Sequence, residues 1–316
     1  MTDDEQYDSE AIHDGLRKVY EVSEYLKFPF TVEEVANYFL PKSNLTPQQL
    51  ESILTNEKFD DLGFKIRDGY LTTNDDQTLQ SRSETEQMSA DKLNSASSFA
   101  NLLTRVIPFI RTVAVTGSVA YGSADKWDDI DLFIVTKRNR LWISALLTLA
   151  LVRLNKLLIL RPPHLSHFCL SYVHDEHGFS KESQRNRSNA LFARELLKAK
   201  PVAGKKEYGK ILEENYWVAD YYSEPYRTKL RSLSGNLNGT TISGGADSFA
   251  LSFLMDWVEE MAYAVLSRYL RLRAYLTNLK LKSEGKNRRV FEPILTSESC
   301  VYTSNFYRWL RSLWGG

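Results

Sequence analysis

The sequence predicts a mixed fold of the α+β or α/β class, with a small sheet and flanking helices between a largely helical front part and a helical C-terminal region. Three observations predict it. Apolar residues recur at helical spacing through residues 12–39. Two β-branched runs, TVAVT at 112–116 and IDLFIVT at 130–136, enclose a loop rich in Gly, Ser and Asp. Apolar residues return at helical spacing over 251–269, as in a long amphipathic helix.

Length and composition limit the class of protein. A chain of 316 residues predicts more than one domain. Hydrophobic residues at 43% and charged residues at 25% exclude a disordered, collagen-like or multi-span membrane protein. The most apolar run, LWISALLTLALV at 141–152, is too short to cross a bilayer. It predicts a buried helix, with a helix lying on a membrane surface as the alternative.

Charge and cysteine content predict a cytoplasmic protein that does not bind long nucleic acid. The formal net charge is zero, yet residues 1–110 carry 20 acidic and 10 basic side chains. Such a front part would repel phosphate, so duplex DNA is the least expected partner. Cys169 and Cys300 are too few for a disulfide framework, and the acidic residues 1–10 lack the apolar core of a signal peptide.

Residues 11–73 are predicted to form a winged-helix-like domain. Thr31 and Glu34 have the spacing of a capping box at the start of a helix. Pro47 suits the first position of the next helix, and Asp68-Gly69 is a hairpin turn signal. Three helices followed by a hairpin resemble a winged helix, a fold that often binds DNA.

The charges of this domain favour contact with a partner protein over DNA binding. The expected recognition helix, residues 47–58, carries Glu51 and Glu57 against the single Lys58. Lys65 and Arg67 on the expected wing are the residues that would support DNA binding. A DNA-binding regulator therefore stays open as an alternative.

The rest of the chain divides into three segments. The polar residues 74–95 predict a linker or the start of a helix, and residues 96–220 hold the predicted sheet. Residues 221–316 are predicted to be a helical C-terminal region. Aromatic residues within 306–314 recur at helical spacing, which favours a packing role over nucleic-acid stacking.

The chemistry is expected in VAVTGSVAYGSADKWDDIDLFIVT, residues 113–136. The first strand leads to Gly117 and Ser118, ten residues separate Ser118 from Asp129, and Asp131 follows. Because side chains alternate along a strand, Asp129 and Asp131 share one face, about 7 Å apart. Carboxylates at this spacing suit Mg²⁺, while Gly117 permits close approach of a ligand and Ser118 offers donors to a triphosphate.

These residues resemble the signature of the nucleotidyltransferase superfamily of DNA polymerase beta. That signature is Gly-Ser, a spacer of roughly ten residues, and Asp-x-Asp among hydrophobic strand residues. The order of a winged-helix-like front and this motif looks like a prokaryotic branch of the superfamily.

The resemblance implies transfer of a nucleoside monophosphate from an NTP to an unknown hydroxyl acceptor: a small molecule, a protein or the end of an RNA. Asp129 and Asp131 would be the catalytic ligands of Mg²⁺, with Mn²⁺ as a substitute. Gly117 and Ser118 would bind the nucleotide. Binding of nucleotide with weak or no turnover, together with recruitment of a partner protein through the acidic front domain, is the alternative.

Four further residues are candidates for the site. Family members carry a third acid on the next strand, but the run SHFCLSYV at 166–173 contains none. Asp175 follows that run and Glu195 lies within an apolar stripe, so each is a candidate for the third acid. A solvated turn for Asp175 and a structural ion pair for Glu195 are the alternatives. Lys137 and Arg138 follow the second strand and could meet the triphosphate, or could form an exposed cluster.

Overall fold

The structure, a computed structural model, describes residues 9–43, 45–56, 64–72, 77–157, 163–234, 249–287 and 290–314. Its front part contains three helices and three short strands. These are α1 (Ser9–Leu26), β1 (Phe30–Thr31), α2 (Val32–Tyr38), α3 (Pro47–Asn56), β2 (Lys65–Arg67) and β3 (Tyr70–Thr72). The strands form an antiparallel sheet in the order β1-β3-β2.

The local signals of the front part act as the sequence predicts. The Thr31 hydroxyl accepts a hydrogen bond from the Glu34 N–H, and the Glu34 carboxylate accepts one from the Thr31 N–H, each at 3.0 Å. This is a complete capping box at the start of α2. The β2–β3 turn has positive φ at both Asp68 and Gly69, as a two-residue hairpin loop requires. Assignment of this part to the winged-helix class stays a prediction.

A six-stranded sheet forms the centre of the molecule, in the order β7-β4-β5-β6-β9-β8. Strands β5 and β6 run parallel, and the other neighbouring pairs are antiparallel. The elements of this part are α4 (Gln77–Val106), β4 (Ile110–Thr116), α5 (Gly117–Tyr121), β5 (Ile130–Thr136), α6 (Leu141–Leu157), β6 (Phe168–Asp175), α7 (Glu176–Arg185), α8 (Ala190–Lys198), β7 (Lys200–Ala203), α9 (Lys205–Glu214), α10 (Ser223–Ser234), α11 (Phe249–Ser283), β8 (Phe291–Leu295), β9 (Ser299–Ser304) and α12 (Asn305–Trp314).

Helices α4 and α6 pack beside the sheet. The polar segment 74–95 is helical where it is described, because α4 begins at Gln77 and continues to Val106. Helix α6, the apolar run at 141–152, buries Trp142 and Val152 while Leu154 is 48% exposed. Within the described ranges, no helix combines the length and apolar character needed to cross a membrane.

The prediction of a helical C-terminal region, residues 221–316, misses one hairpin. Strands β8 and β9 form a hairpin, and β9 pairs with β6 through Cys300 opposite Val173. The sequence hides this hairpin because FEPIL places a charge and Pro293 in an edge strand, where neither disrupts the ladder. Its partner strand also lies more than 100 residues earlier, beyond any local pattern.

Helix α12 joins the front part to the core. The Trp314 side chain is buried, and its indole N–H donates to the Phe39 carbonyl at 3.2 Å. The guanidinium of Arg194, from α8, lies 4.4 Å from the Phe39 ring centre and 4.5 Å from that of Trp314. The aromatic residues of 306–314 therefore have the packing role that their spacing predicts.

Candidate active site

The first side of the candidate site is the end of β4, where the chain turns sharply at Gly117. Gly117 has φ of +65°, a value that favours glycine. A methyl group at this position would overlap Oδ2 of Asp131. Thr116 pairs with Asp131 across the β4–β5 ladder, so the Gly-Ser turn and the Asp-x-Asp strand meet at one edge of the sheet.

The second side is the start of β5, where Asp129 immediately precedes the strand and Asp131 lies in it. Ile130 and Leu132 are fully buried on the opposite face of the strand, whereas the side chain of Asp129 is 58% exposed. Asp131 is half-buried, and Oδ1 of its carboxylate accepts a hydrogen bond from the Ser171 hydroxyl of β6. That the two carboxylates share one face stays a prediction.

The carboxylates carry more negative charge than their surroundings balance. Burial raises the pKa of Asp131 from its ordinary value to about 7, while the Ser171 hydroxyl acts in the opposite direction. The nearby charges of Asp129, Asp128 and Glu195 raise the pKa of Asp131 further. A cation between these groups would relieve that repulsion.

The loop between the two motifs is held by α4. Lys92 is fully buried, and its ammonium donates to the carbonyls of Asp125 and Asp128, each at 2.5 Å. The Ser89 hydroxyl accepts from the Ala124 N–H at 3.1 Å. Burial lowers the pKa of Lys92, and the carboxylates of Asp128 and Asp125 act in the opposite direction. Helix α4 therefore fixes the residues that precede Asp129.

The third strand of the site carries no acid beside Asp131. In the parallel β5–β6 ladder, Cys169 is the residue opposite Asp131, and Ser171 bonds its carboxylate. The structure does not bring Asp175 to this place. Asp175 is paired with Thr136 at the far end of the strands, roughly 16 Å away along β5.

The carboxylate of Asp175 is engaged at that far end. It accepts hydrogen bonds from the N–H of Gly178 at 2.7 Å and from the N–H of Asn139 at 2.9 Å, and it caps α7. Lys137 and Arg138 follow β5 at the same distant edge. The structure therefore separates Lys137, Arg138 and Asp175 from the Gly-Ser turn. These three residues lie at the C-terminal ends of β5 and β6, whereas Asp129 immediately precedes the N-terminal end of β5.

Glu195 lies closer to the site, and it acts through a tyrosine. The Tyr121 hydroxyl at the end of α5 donates to Oε1 of Glu195 at 2.6 Å. Burial raises the pKa of Glu195, and Arg194 and the Tyr121 hydrogen bond act in the opposite direction. Glu195 thus braces the short helix that begins with Gly117 and adds negative charge near Asp131.

Several residues of the site were not predicted from the sequence. Lys92 and Ser171 contact the motif from α4 and β6, and Nδ1 of His167 lies 4.0 Å from Oδ1 of Asp129. A signal for Lys92 does exist, since it precedes Ala96 by four residues and so lies in the buried stripe of its helix. Ser171 carries no such signal.

Asp129 and Asp131 offer carboxylate oxygens as ligands at this edge. Across the described ranges there is no group of three or more His, Cys, Asp or Glu side chains that could hold a metal ion by itself. Two carboxylates with places left for substrate phosphate and water suit Mg²⁺, which keeps part of its hydration. The residues present therefore fit a hard divalent cation that is shared with a substrate.

Comparison with known proteins finds a matching family model. Residues 100–222 match the family model of the nucleotidyltransferase domain. That range runs from the second half of α4 to two residues beyond the 3₁₀ turn Tyr216–Asp220, and it contains both halves of the motif. The match supports the superfamily that the motif resembles. Searches of curated proteins and of solved structures return no significant match.

Proposed function

We propose, from the match of residues 100–222 to a nucleotidyltransferase domain, that the protein transfers a nucleoside monophosphate from an NTP to a hydroxyl group. In this proposal Asp129 and Asp131 hold Mg²⁺, or Mn²⁺ in its place. Gly117 and Ser118 bind the triphosphate. The acceptor is a small molecule, a protein or the end of an RNA.

One observation carries the proposal: the Asp131 carboxylate lies against the backbone of Gly117, where no side chain fits. A phosphate bound by the backbone N–H groups and the hydroxyl of the Gly-Ser turn would lie beside the two carboxylates. Phosphate and carboxylate repel each other unless they share a cation. The juxtaposition is therefore useful to a protein that binds a metal–nucleotide complex, and costly to one that does not.

In the proposed reaction each residue has a limited task. The acceptor oxygen bonds to the α-phosphorus, the bond to the pyrophosphate oxygen breaks, and the hydroxyl proton leaves to a base. In this proposal Ser118 and the N–H groups of the turn hold the outer phosphates, and His167 receives the proton. The distance of 4.0 Å between Nδ1 of His167 and Oδ1 of Asp129 supports that role. Mg²⁺ bound to Asp129 and Asp131 would offset charge on the phosphates.

Nucleotide binding with weak turnover is the second candidate function. Ser171 and Cys169 lie beside Asp131, where a third carboxylate would assist the attacking hydroxyl. A serine and a thiol of strongly raised pKa are poor bases at neutral pH. If His167 does not serve as the base, the site binds its nucleotide and releases it unchanged.

We also propose that the front part is winged-helix-like and contacts a protein. The order of its elements and the sheet order β1-β3-β2 support that class. The excess of acidic residues over 1–110 opposes duplex binding. Glu51 is exposed on α3, the expected recognition helix, and would face DNA phosphates.

Calorimetry with each of the four NTPs tests the main proposal. Titrations with and without Mg²⁺ compare the wild type with Asp129→Asn and Asp131→Asn, and pyrophosphate release is followed in parallel. We expect Mg²⁺-dependent binding that falls about tenfold or more in each variant, because each loses a ligand of the cation. Glu84→Gln removes an exposed carboxylate of α4 and serves as the control.

The outcomes separate the candidate functions. Mg²⁺-dependent binding with pyrophosphate release in the presence of cell extract supports the transferase. Binding without release under the same conditions supports the nucleotide-binding module. Absence of Mg²⁺-dependent binding to every NTP would overturn both.

A further inference from the structure

A cavity of about 90 Å³ lies beside Asp129, on the side of β5 that faces away from Gly117. Its walls come from β6, β9, α6 and α11. Leu149, Leu266 and Leu270 give it an apolar surface, and Asp129 lies at its edge. In the sheet order β4-β5-β6, the Gly-Ser turn follows the neighbour of β5 on one side, and the cavity is lined by its neighbour on the other side.

Two cations also line this cavity. Lys156 of α6 and Arg273 of α11 are both exposed, and in the described part of the chain neither forms an ion pair. An apolar wall with two cations that form no ion pair within the described ranges suits a ligand that has a compact apolar body and an anionic group. A neutral or cationic ligand would supply no counter-charge to these two cations.

We infer that this cavity is the acceptor subsite, and that the acceptor is a small hydroxyl compound with a compact apolar body and a carboxylate or phosphate group. The inference rests on the proposed transfer. In that reaction the attacking oxygen and the leaving pyrophosphate lie in line on opposite sides of the phosphorus. A cavity on the β6 side of Asp129 meets this requirement when the triphosphate lies on the β4 side. Its volume is below the 150 Å³ or so that holds a benzene ring, so the buried group is a short aliphatic chain.

The test measures binding of matched probes by ligand-observed NMR without metal or nucleotide. The probes are 2-hydroxy-4-methylpentanoate, its phosphonate analogue and leucinol, which has the same isobutyl group but a cation. We expect one or both anionic probes to bind and leucinol not to bind. The Lys156→Gln/Arg273→Gln protein should bind the anionic probes about tenfold more weakly. Lys282→Gln, which removes an exposed cation of α11 outside the cavity, should bind them as the wild type does.

Failure of this inference differs from failure of the proposed transfer. Equal affinity of the double variant and the wild type, or binding of leucinol, or no binding of any probe, would overturn the acceptor subsite. The probe that binds should also increase pyrophosphate release from Mg²⁺ and NTP. Probe binding combined with absence of any NTP binding would leave the cavity as an anion site and overturn the transfer instead.

A second observation stands apart from the active site: α11 exposes an apolar stripe along its outer face. Trp257, Met261, Val265, Leu272, Leu276 and Leu279 are each between 47% and 61% exposed. The opposite face of the helix, with Leu266 and Leu270, packs into the core. Together with Leu254, Tyr269 and Tyr275, the stripe presents on the order of 900 Å² of apolar side chain, which is the area that a specific dimer buries per partner.

The charges beside the stripe indicate what covers it. Glu260 and Arg271 are eleven residues apart, close to three helical turns, so they lie on the same flank of the stripe. Both are exposed, and neither makes an ion pair in the described ranges. The midpoint between them falls next to Val265, near the middle of the stripe. An antiparallel second copy of α11 centred there would bring each Glu260 to the other copy's Arg271.

We propose that a second copy of this chain covers the stripe, with the two α11 helices antiparallel about a twofold axis near Val265. Such a pairing is self-complementary in apolar contacts and in charge. It places two Glu260–Arg271 pairs at the rim and the apolar residues between them.

Sedimentation equilibrium tests the dimer through a charge exchange. We expect a dimer for the wild type and a dissociation constant at least about tenfold larger for Glu260→Arg, which opposes like charges across the axis. The double variant Glu260→Arg/Arg271→Glu restores opposite charges and should recover the wild-type constant. Glu214→Arg, on exposed α9 surface, is the control for the change of net charge. A monomeric wild type at micromolar concentration, or a double variant no better than the single one, would overturn the proposal. Co-sedimentation of a monomeric wild type with anionic phospholipid vesicles would assign the stripe to a membrane surface instead.

Discussion

At the residue scale, the candidate site depends on a position that has no side chain. Gly117 combines a left-handed backbone with direct contact to the Asp131 carboxylate, and Gly285 has a similar φ of +71° with open space around it. A comparison of substitutions at Gly117 and Gly285 therefore separates the cost of backbone strain from the cost of displacing a carboxylate.

The prediction compares Gly117→Ala with Gly285→Ala. We expect Gly285→Ala to lower the free energy of unfolding by about 1 kcal/mol, from strain alone. Gly117→Ala should lower it further and weaken Mg²⁺-dependent NTP binding at least about tenfold, because Asp131 has to move. Urea unfolding and calorimetry measure the two quantities. If the two alanine substitutions change the free energy of unfolding and NTP binding equally, the contact with Asp131 contributes to neither quantity.

His174 provides a prediction for pH. Burial lowers the pKa of His174 from its ordinary 6.5 to about 4, and Nδ1 of the ring lies 2.9 Å from Oγ of Ser299. Between these two pH values the unfolded chain binds a proton that the folded protein does not. The contribution of neutral His174 to the free energy of unfolding is therefore complete above pH 6.5. It is lost as the pH falls towards 4, by up to about 3 kcal/mol.

The measurement is the free energy of unfolding by urea at pH 7.5 and pH 4.5 for the wild type and His174→Gln. Glutamine keeps a hydrogen-bonding group and removes the titration. We expect the drop in stability between the two pH values to be smaller in the variant by about 2 kcal/mol. Identical drops would mean that other groups carry the acid sensitivity.

At the element scale, α4 holds the loop that leads to the two aspartates. Lys92→Met keeps the packing of the side chain in its helix but leaves the carbonyls of Asp125 and Asp128 without their donor. We expect the free energy of unfolding to fall by about 2–4 kcal/mol, together with weaker NTP binding. Lys126→Met, an exposed change in the same loop, should leave both quantities unchanged in urea unfolding and calorimetry. A Lys92→Met protein that binds NTP as the wild type does would remove α4 from the support of the site.

Elements were predictable where their signals are local. The capping box of Thr31 and Glu34 follows from their spacing within a few residues. The contact of Gly117 with Asp131 was not predicted, although both residues belong to the motif that the sequence singles out. The spacing of Lys92 in α4 indicates that it is buried, but not what it contacts. Its contacts with the loop and the Tyr121–Glu195 hydrogen bond depend on packing between segments that are distant in the sequence.

Strand direction explains the separated candidates. Lys137 and Arg138 follow β5, and Asp175 is the last residue of β6. These residues therefore lie at the edge of the sheet opposite Asp129, although they are close to the motif in the sequence. Because β5 and β6 are parallel, their C-terminal ends share that edge. The β8–β9 hairpin stayed hidden for a related reason, since its place in the sheet depends on pairing with β6.

At the scale of the whole molecule, one tryptophan connects the front part to the core. Trp314→Ala should lower the free energy of unfolding by about 3–5 kcal/mol, because it empties a buried site and removes the donor to the Phe39 carbonyl. It should also speed hydrogen exchange in both α2 and α8, since Arg194 lies between the Phe39 and Trp314 rings. Trp127→Ala, at a position 77% exposed, is the control. Faster exchange in α2 alone would mean that the front part loosens by itself.

The contact between Phe39 and Trp314 also has a consequence for synthesis of the chain. The two residues are 275 positions apart. At roughly 5–20 residues per second, a ribosome needs roughly 15–55 s to reach Trp314 after Phe39. Throughout that interval the front part lacks the aromatic side chains of α12 that pack against it. Every nascent chain therefore presents uncovered apolar surface to chaperones until α12 has been made.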